Sequence, residues 1–372
     1  MIPPPLMNVL SKGVRALRRE RQFFSDPYAN LSGLAQGLRD HPSGRADPPE
    51  LIGRLLKAYT KAKLDEPSAS SCYHPNGAWQ DLYTRRAEYL AALQGENQEV
   101  LAGLLTNFFR NSGVAGLMAY AAYQQMLRAK RAVRHEFINF LLADYRTLQA
   151  LIKSVRVDNL AIPPIGNPWG YHLNGTLLLP TACRHYYHAS QIRRLLHERP
   201  HPVVCEIGGG FGGAAYFLLN GATPITYLNF DLPEVLLVAS YFLISAFPTR
   251  RSLLYGETSD AEALHHYDLI LLPSFALPSL ADHTIDLTLN TGSLSEMTFQ
   301  TVEAYLRQIA RITSAYFFHE NSDRPTINTC GHHEVLGSQF PIPTDQFRQV
   351  SQCPSPWGGD GGRYREYLYQ RV

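Results

Sequence analysis

A glycine-rich segment between two short apolar runs constrains the fold of this chain more than any other feature. The first run, residues 203–207, carries Glu206 and leads into Gly-Gly-Gly-Phe-Gly-Gly at residues 208–213. The second run, residues 225–230, is followed by Asp231. Glycines permit a tight turn and a close approach of the backbone to a bound molecule, because they have no Cβ. This order of strand, glycine loop, helix, strand and acid is typical of the first half of a nucleotide-binding βαβ unit.

Extended and helical patterns alternate from residue 202 onward. Such alternation is typical of an α/β protein in which helices cover both faces of a mainly parallel sheet. We therefore predict a Rossmann-like, doubly wound fold, and the alternating pattern of residues 364–369 predicts an antiparallel C-terminal strand. The predicted strands are 202–207, 225–230, 268–272, 285–290 and 314–319, and the helices between them are 211–220, 233–246 and 296–312.

The chain before residue 160 has a helical pattern. Between residues 134 and 153, apolar side chains recur every three or four positions, which places them on one face of a helix. Prolines and glycines interrupt residues 162–170, so this stretch predicts a connection rather than a helix. We expect a helical N-terminal region at 1–160, acting as a substrate lid or a dimer interface, and a Rossmann-like domain at 161–372.

Composition argues against several classes of partner and site. The formal net charge is +2 over 372 residues, which gives no reason to expect a nucleic-acid partner. No run of about 20 apolar residues is present, so no membrane span is expected. Five scattered cysteines without a C-x-x-C pair argue against disulfides and fit a reducing cytoplasm. His332 and His333 are adjacent, and adjacent histidines seldom bind one ion, so we expect no metal site.

The acids on either side of the glycine loop indicate the class of cofactor. NAD needs such a loop to hold its diphosphate at a helix N-terminus, where the carboxylate of Glu206 would be badly placed. S-adenosylmethionine has no phosphate and carries a cationic portion, and Asp231 stands where a carboxylate binds ribose hydroxyls in both classes. The pattern therefore favours S-adenosylmethionine over NAD, with a plain glycine-rich turn as the alternative. The predicted cofactor-binding residues are Glu206, Gly208, Gly209, Gly210, Asp231, Leu232, Ser274, Phe275 and Asn290.

Polar residues after the later strands are candidates for the chemistry. In an open parallel sheet, ligands bind beyond the carboxyl ends of the strands. A histidine there could act as a base toward a hydroxyl group, because neutral imidazole accepts a proton near pH 7. Trp169 could stack on a sugar ring, with burial in the core as its alternative interpretation. The catalytic candidates are His319, Glu296 and His332, and the substrate-binding candidates are Tyr187, Trp169 and Asn321.

Six motifs along the chain point to one known family. They are Gly166-Asn167-Pro168, Arg184–Tyr187, Glu206–Gly213, Asp231–Pro233, Asn290–Met297 and His319–Asn321. Together they resemble the sugar O-methyltransferase family, a bacterial branch of the class I methyltransferases that use S-adenosylmethionine. The glycine motif is shared by many methyltransferases, whereas the Asp-Leu-Pro of residues 231–233 and the Ser-Glu-Met of residues 295–297 are more specific to this branch. The resemblance covers roughly residues 95–372 and supports methyl transfer more firmly than it supports a sugar acceptor.

The sequence thus predicts a cytoplasmic O-methyltransferase that takes its methyl group from S-adenosylmethionine. The expected acceptor is a sugar or a glycosylated small molecule. The N-terminal region could form the interface of a homodimer instead of a lid over the substrate. Two alternatives stay open. One is an NAD-dependent oxidoreductase, against which Glu206 counts, and the other is a non-catalytic scaffold in a biosynthetic assembly.

Overall fold

A computed structural model gives the fold of the chain. It describes residues 29–41, 49–80, 91, 93, 97–111, 119–258, 266–327, 331, 333–357 and 362–372. The main α-helices of these residues are α1 (Leu31–Gly37), α2 (Pro49–Asp65), α3 (Gln98–Leu105), α4 (Ala119–Arg128), α5 (Arg131–Leu151), α6 (Ala182–Leu195), α7 (Gly213–Leu219), α8 (Pro233–Ala246) and α9 (Phe299–Ile312). None of the helices in this described part is long and apolar enough to cross a bilayer.

Ten strands accompany these helices in the described residues. Two of them, β1 and β2, form a separate antiparallel hairpin that the sequence pattern did not predict. The strands are β1 (Tyr171–Leu173), β2 (Thr176–Leu178), β3 (Val203–Ile207), β4 (Thr226–Asp231), β5 (Ser252–Leu254), β6 (Leu269–Pro273), β7 (Ile285–Thr291), β8 (Thr313–Ser322), β9 (Phe347–Pro354) and β10 (Tyr364–Arg371).

The main sheet confirms the predicted fold class. Eight strands lie side by side in the order β5-β6-β4-β3-β7-β8-β10-β9. Every pair from β5 across to β8 is parallel, whereas β10 is antiparallel to both β8 and β9. The fold is therefore a Rossmann-like, mainly parallel α/β sheet with an antiparallel C-terminal end.

The order in which successive strands are added to the sheet reverses at β3. Strand β4 pairs with one edge of β3, and β7 pairs with the other edge. In open α/β sheets such a reversal opens a crevice beyond the carboxyl ends of the strands, and ligands bind there. The glycine loop follows β3 directly and Asp231 ends β4, so both lie at this end of the sheet.

The N-terminal helices share a hydrophobic core with one face of the sheet. One cluster of buried side chains extends from Leu34 in α1 to Phe318 in β8. Helix α8 is buried along most of its length, because it packs against β4 and β6 as well as against α2. An ion pair of 3.0 Å between Lys63 of α2 and Glu234 of α8 adds a polar link within this contact. The helical region is therefore built onto the sheet through a continuous apolar interface.

Trp169 belongs to this core. Its side chain is 0% exposed, and its ring stacks on Phe137 at 5.6 Å and lies 5.6 Å from the ring of Tyr123. The prediction that Trp169 stacks on a sugar ring is therefore wrong, because no face of the indole is open to a ligand. The alternative interpretation, burial in the core, is the correct one.

Candidate functional site

A crevice opens at the carboxyl ends of β3, β4 and β6, beside the 3₁₀ turn Ser293–Glu296. One wall comes from the sheet, from α9 and from the segments that follow β6 and β7, and the other comes from residues 72–79 of the N-terminal region, which we name the cover segment. Among the described residues that line the crevice, none is a lysine or an arginine. The wall of the sheet and α9 contains Ile207, Gly208, Asp231, Leu232, Ser274, Ser293, Met297, Thr301 and Tyr305, and the cover segment contributes Cys72, Tyr73, His74, Pro75, Asn76 and Trp79.

The glycine loop is held by hydrogen bonds to the protein itself. Four backbone N–H groups of the loop donate to acceptors in β4 or within the loop. These N–H groups are therefore satisfied before any ligand binds. The bonds are Gly208 N to Phe230 O (2.8 Å), Gly209 N to Asn229 Oδ1 (3.2 Å), Gly210 N to Asp231 Oδ2 (3.0 Å) and Gly212 N to Gly209 O (3.0 Å).

Two loop glycines with the same kind of backbone differ in their surroundings. Gly208 and Gly210 have φ angles of +73° and +58°. A Cβ at Gly208 would lie 2.1 Å from Ser293 Oγ, whereas a Cβ at Gly210 would meet nothing within 4 Å. We expect Gly208→Ala to unfold at a lower temperature than Gly210→Ala, because both carry roughly 1–2 kcal/mol of backbone strain but only the first also clashes. Thermal unfolding checks this, and equal midpoints would contradict it.

Asp231 faces the crevice at the end of β4. Its carboxylate accepts hydrogen bonds from the N–H of Leu232 at 2.8 Å and from that of Gly210 at 3.0 Å. Burial raises the pKa of Asp231 to about 7, although both hydrogen bonds act in the opposite direction. The structure thus brings Asp231, Leu232 and Gly208 together at one site. Their binding of a cofactor stays a prediction.

Glu206 does not reach the crevice. Its side chain is 1% exposed, and its carboxylate accepts a hydrogen bond from the hydroxyl of Tyr227 on the neighbouring strand. Burial raises the pKa of Glu206 to about 7, and the bond from Tyr227 opposes that rise. The prediction of Glu206 as a cofactor-binding residue is therefore corrected: alternation along β3 turns this carboxyl group into the protein, where it joins β3 to β4.

The turn after β6 places only one of its two predicted residues at the crevice. Ser274 lines the crevice, and its side chain is hydrogen-bonded to the hydroxyl of Tyr305 in α9. Phe275 instead packs edge-on against Tyr255, with ring centroids 5.4 Å apart, and is absent from the lining that the described residues form. The 3₁₀ turn Ser274–Ser279 explains the difference, because consecutive side chains of a helical turn point in different directions.

The side chains of Asn290 and Asn321 form a hydrogen-bonded network behind the crevice. Asn290 Nδ2 donates to the carbonyl of Ile207 at 2.9 Å and to Ser293 Oγ at 2.6 Å. Asn321 Nδ2 donates to Asn290 Oδ1 at 2.8 Å, and Asn321 Oδ1 accepts from the N–H of Ser295 at 3.1 Å. Both side chains are 0% exposed. The predictions of ligand contacts by Asn290 and Asn321 are therefore wrong, because these amides hold the strand ends together.

Glu296 lies beside the crevice, where the 3₁₀ turn meets the cover segment. Its carboxyl group is hydrogen-bonded by the side chain of Trp79, and its backbone carbonyl packs against Gly77. Burial and the nearby carboxylate of Glu334 raise the pKa of Glu296 to about 7, whereas Arg363 and Trp79 act in the opposite direction. A carboxyl group with a pKa near 7 suits proton exchange at neutral pH. Of the two predicted catalytic residues that the structure describes, Glu296 and His319, only Glu296 lies beside the crevice.

His319 lies in an aromatic stack away from the crevice. Its ring centroid is 4.7 Å from that of Tyr367 and 5.0 Å from that of Phe340, and its side chain is 0% exposed. Burial lowers the pKa of His319 to about 3, which makes its imidazole a poor proton acceptor near pH 7. The prediction of His319 as the base is therefore wrong. His332, the other histidine candidate, lies outside the described residues.

Tyr187 belongs to a buried polar cluster at the ends of β8 and β10. Its hydroxyl donates to Glu366 at 2.9 Å, while Glu320 pairs with Arg184 at 2.8 Å and with His188 Nε2 at 2.6 Å. Burial alone would raise the pKa of Glu320, but Arg184 and His188 lower it to about 2. His188, Glu320 and Glu366 are close enough to hold a metal ion. Arg184 already supplies positive charge there, so we interpret the cluster, with the 7% exposed Tyr187, as structural.

Sequence reasoning missed the cover segment. Tyr73 packs edge-on against Tyr305 of α9, with ring centroids 5.3 Å apart. Asn76 Oδ1 accepts a hydrogen bond of 3.2 Å from the N–H of Thr298, which lies 222 positions further along the chain. No motif marks residues 72–79, and contacts over such a separation are invisible in a single sequence.

Comparison with known proteins finds no family model and no curated protein that matches this chain. Solved structures to which this chain is similar include the mitomycin 7-O-methyltransferase, with 16% identity and a TM-score of 0.37 over 86% of this chain and 95% of that chain. Another is the magnesium protoporphyrin IX methyltransferase of Synechocystis with bound S-adenosylmethionine, with 12% identity, a TM-score of 0.36 and coverage of 52% and 82%. A third is the N-methyltransferase NodS of Bradyrhizobium japonicum with S-adenosylhomocysteine, with 13% identity, a TM-score of 0.35 and coverage of 62% and 98%. Similarity at this level does not identify an activity.

Proposed function

We propose that this chain is a methyltransferase that uses S-adenosylmethionine and methylates a hydroxyl group of a sugar or of a glycosylated small molecule. One observation carries the cofactor class. The loop N–H groups that a diphosphate would need already donate to Asp231, to Asn229 and to backbone oxygens. A cofactor without phosphate does not need those donors, so the loop suits S-adenosylmethionine better than NAD.

The charge of the crevice supports the same choice. Of the lining residues that the structure describes, Asp231 is the acidic one, and none is a lysine or an arginine. A diphosphate would lose its water without gaining a cationic partner, which is costly. A sulfonium group is itself a cation, and the aromatic side chains of Tyr73, Trp79 and Tyr305 are favourable neighbours for it.

The chemistry of the residues present suits this cofactor, and each of them has a separate role in binding. Asp231 offers a carboxylate for ribose hydroxyls, Ser274 offers a hydroxyl and Leu232 an apolar contact. When bound, S-adenosylmethionine supplies an electrophilic methyl group. Glu296 acts as the base that takes the proton from the acceptor hydroxyl, since its carboxylate form predominates above pH 7.

The acceptor class rests on the motif resemblance. The segment Ser293–Met297, which is more specific to the sugar O-methyltransferases than the glycine loop, contains the 3₁₀ turn that carries Glu296 beside the crevice. This placement supports the proposal that the segment acts in acceptor activation as well as in cofactor binding. A screen of sugar nucleotides and glycosides with a radiolabelled methyl donor tests this part of the proposal, and methylation of amines only would contradict it.

Binding of the spent donor tests the cofactor class. We expect S-adenosylhomocysteine to raise the thermal unfolding midpoint and NAD to leave it unchanged. A ligand at about 100 times its dissociation constant adds roughly 2.7 kcal/mol to the free energy of unfolding. A rise with NAD alone would indicate an oxidoreductase, and no rise with either ligand would indicate a scaffold. Both results would contradict the proposal.

A further inference from the structure

We infer that Trp79 of the cover segment is a positioning residue, whose indole N–H fixes the carboxyl group of Glu296 beside the crevice. The inference rests on the proposed role of Glu296 as the base. It assigns to the N-terminal region a part in proton transfer, in addition to covering the crevice. Trp79 also lines the crevice, so one side chain contacts both the base and the space for the ligand.

Three contacts join the cover segment to the turn that carries Glu296. Asn76 Oδ1 accepts a hydrogen bond of 3.2 Å from the N–H of Thr298. Gly77 packs so closely that a Cβ there would lie 2.3 Å from the backbone carbonyl of Glu296. The hydrogen bond between the side chains of Trp79 and Glu296 is the third contact. Backbone and side chain of Glu296 are therefore held by the same short segment.

The charges around Glu296 explain why such a contact is needed. Glu334 and Asp231 repel its carboxylate, and Arg363 attracts it but is already paired with Glu334. Tyr364 is also close enough for an electrostatic interaction with Glu296, which contributes to the raised pKa of Tyr364. Without a donor of its own, the carboxylate would lose the stabilisation that a hydrogen bond gives to the charged form. Trp79 supplies that donor without adding a positive charge.

The titration of Glu296 tests the inference directly. In protein with ¹³C-labelled glutamate side chains, the NMR signal of Glu296 is identified by its loss in Glu296→Gln. We expect a midpoint of about 7 in the wild type. In Trp79→Phe, which keeps a ring but loses the N–H, the midpoint should rise by about one pH unit, because a hydrogen bond to a charged group is lost.

Two glycine variants provide the matched comparison. Gly77→Ala should also raise the midpoint, because its Cβ would push the cover segment away from Glu296. Gly175→Ala should not, although Gly175 likewise has a positive φ of +86°, because nothing lies within 4 Å of its Cβ position in the β1–β2 hairpin. Thermal unfolding first establishes which variants are folded. If Trp79→Phe does not fold, the titration midpoint of Glu296 in Gly77→Ala tests the inference.

An unchanged midpoint in the folded Trp79→Phe and Gly77→Ala variants would overturn the inference, since a purely structural cover segment leaves the titration of Glu296 unaffected. The measurement needs no methyl donor. A wild type that titrates as expected but does not bind S-adenosylhomocysteine would therefore refute the proposed function and leave the contact between Trp79 and Glu296 intact.

Discussion

Replacing Asp231 with alanine is expected to lower the affinity for S-adenosylhomocysteine by about 100-fold or more, with the fold retained. Each hydrogen bond to a charged group contributes about 1.5–3 kcal/mol, and a carboxylate that binds two ribose hydroxyls makes two of them. The substitution also frees the N–H groups of Gly210 and Leu232, which Asp231 now holds. Isothermal titration calorimetry measures the affinity.

Asp268→Ala is the matched control for this variant. Asp268 also accepts a hydrogen bond from a backbone N–H, that of Arg251 at 3.0 Å, but it precedes β6 at the opposite end of the sheet. We expect its affinity for S-adenosylhomocysteine to equal that of the wild type. Unchanged affinity in Asp231→Ala would remove Asp231 from the site, and an equal loss in both variants would point to a general effect on folding.

Glu296→Gln is expected to reduce turnover by about 100- to 10,000-fold, which is the usual contribution of a general base. Glutamine is nearly isosteric and can still accept a hydrogen bond from Trp79, so the turn should keep its shape. Affinity for S-adenosylhomocysteine should therefore change little. The rate is measured with an acceptor found in the screen, and full activity of the variant would exclude Glu296 as the base.

The pH dependence gives a second readout for Glu296. The pKa of Glu296 is raised to about 7, so lowering the pH through this value protonates the base, and the wild-type rate should fall. Glu303→Gln is the control, because Glu303 lies on α9, seven residues after Glu296 in the sequence, and is 48% exposed in a surface pair with Arg307. It should keep the wild-type rate and profile. A wild-type rate that is flat from pH 6 to 8 would contradict the assignment.

Much of the fold could be predicted, because local pattern and global structure agree in the α/β region. Helix α8 occupies the predicted residues 233–246, and β3, β4 and β6 begin and end within one residue of prediction. The hairpin of β1 and β2 was missed, because its strands have only three residues each. Strand β9 was missed because it is an exposed edge strand without an apolar face. Short or exposed strands lack the periodicity on which such predictions depend.

The site was predicted less completely, because the ends of the strands could be located but the directions of their side chains could not. Asp231 and Ser274 reach the crevice, whereas Glu206 and Asn290 are turned into the protein. His319 ends inside an aromatic stack that forms only when β10 pairs with β8, a long-range contact. The cover segment was invisible for the same reason, since its partners lie more than 200 residues away along the chain.

A crystal structure determined with S-adenosylhomocysteine tests the central claim most directly, that the crevice between the glycine loop and the cover segment binds an adenosyl donor. The expected density places the adenosine between these two walls, with ribose hydroxyls on the Asp231 carboxylate and no contact to Glu206. Density for the donor on another surface, with the crevice unoccupied, would contradict the account, and so would binding of NAD by the N–H groups of the loop.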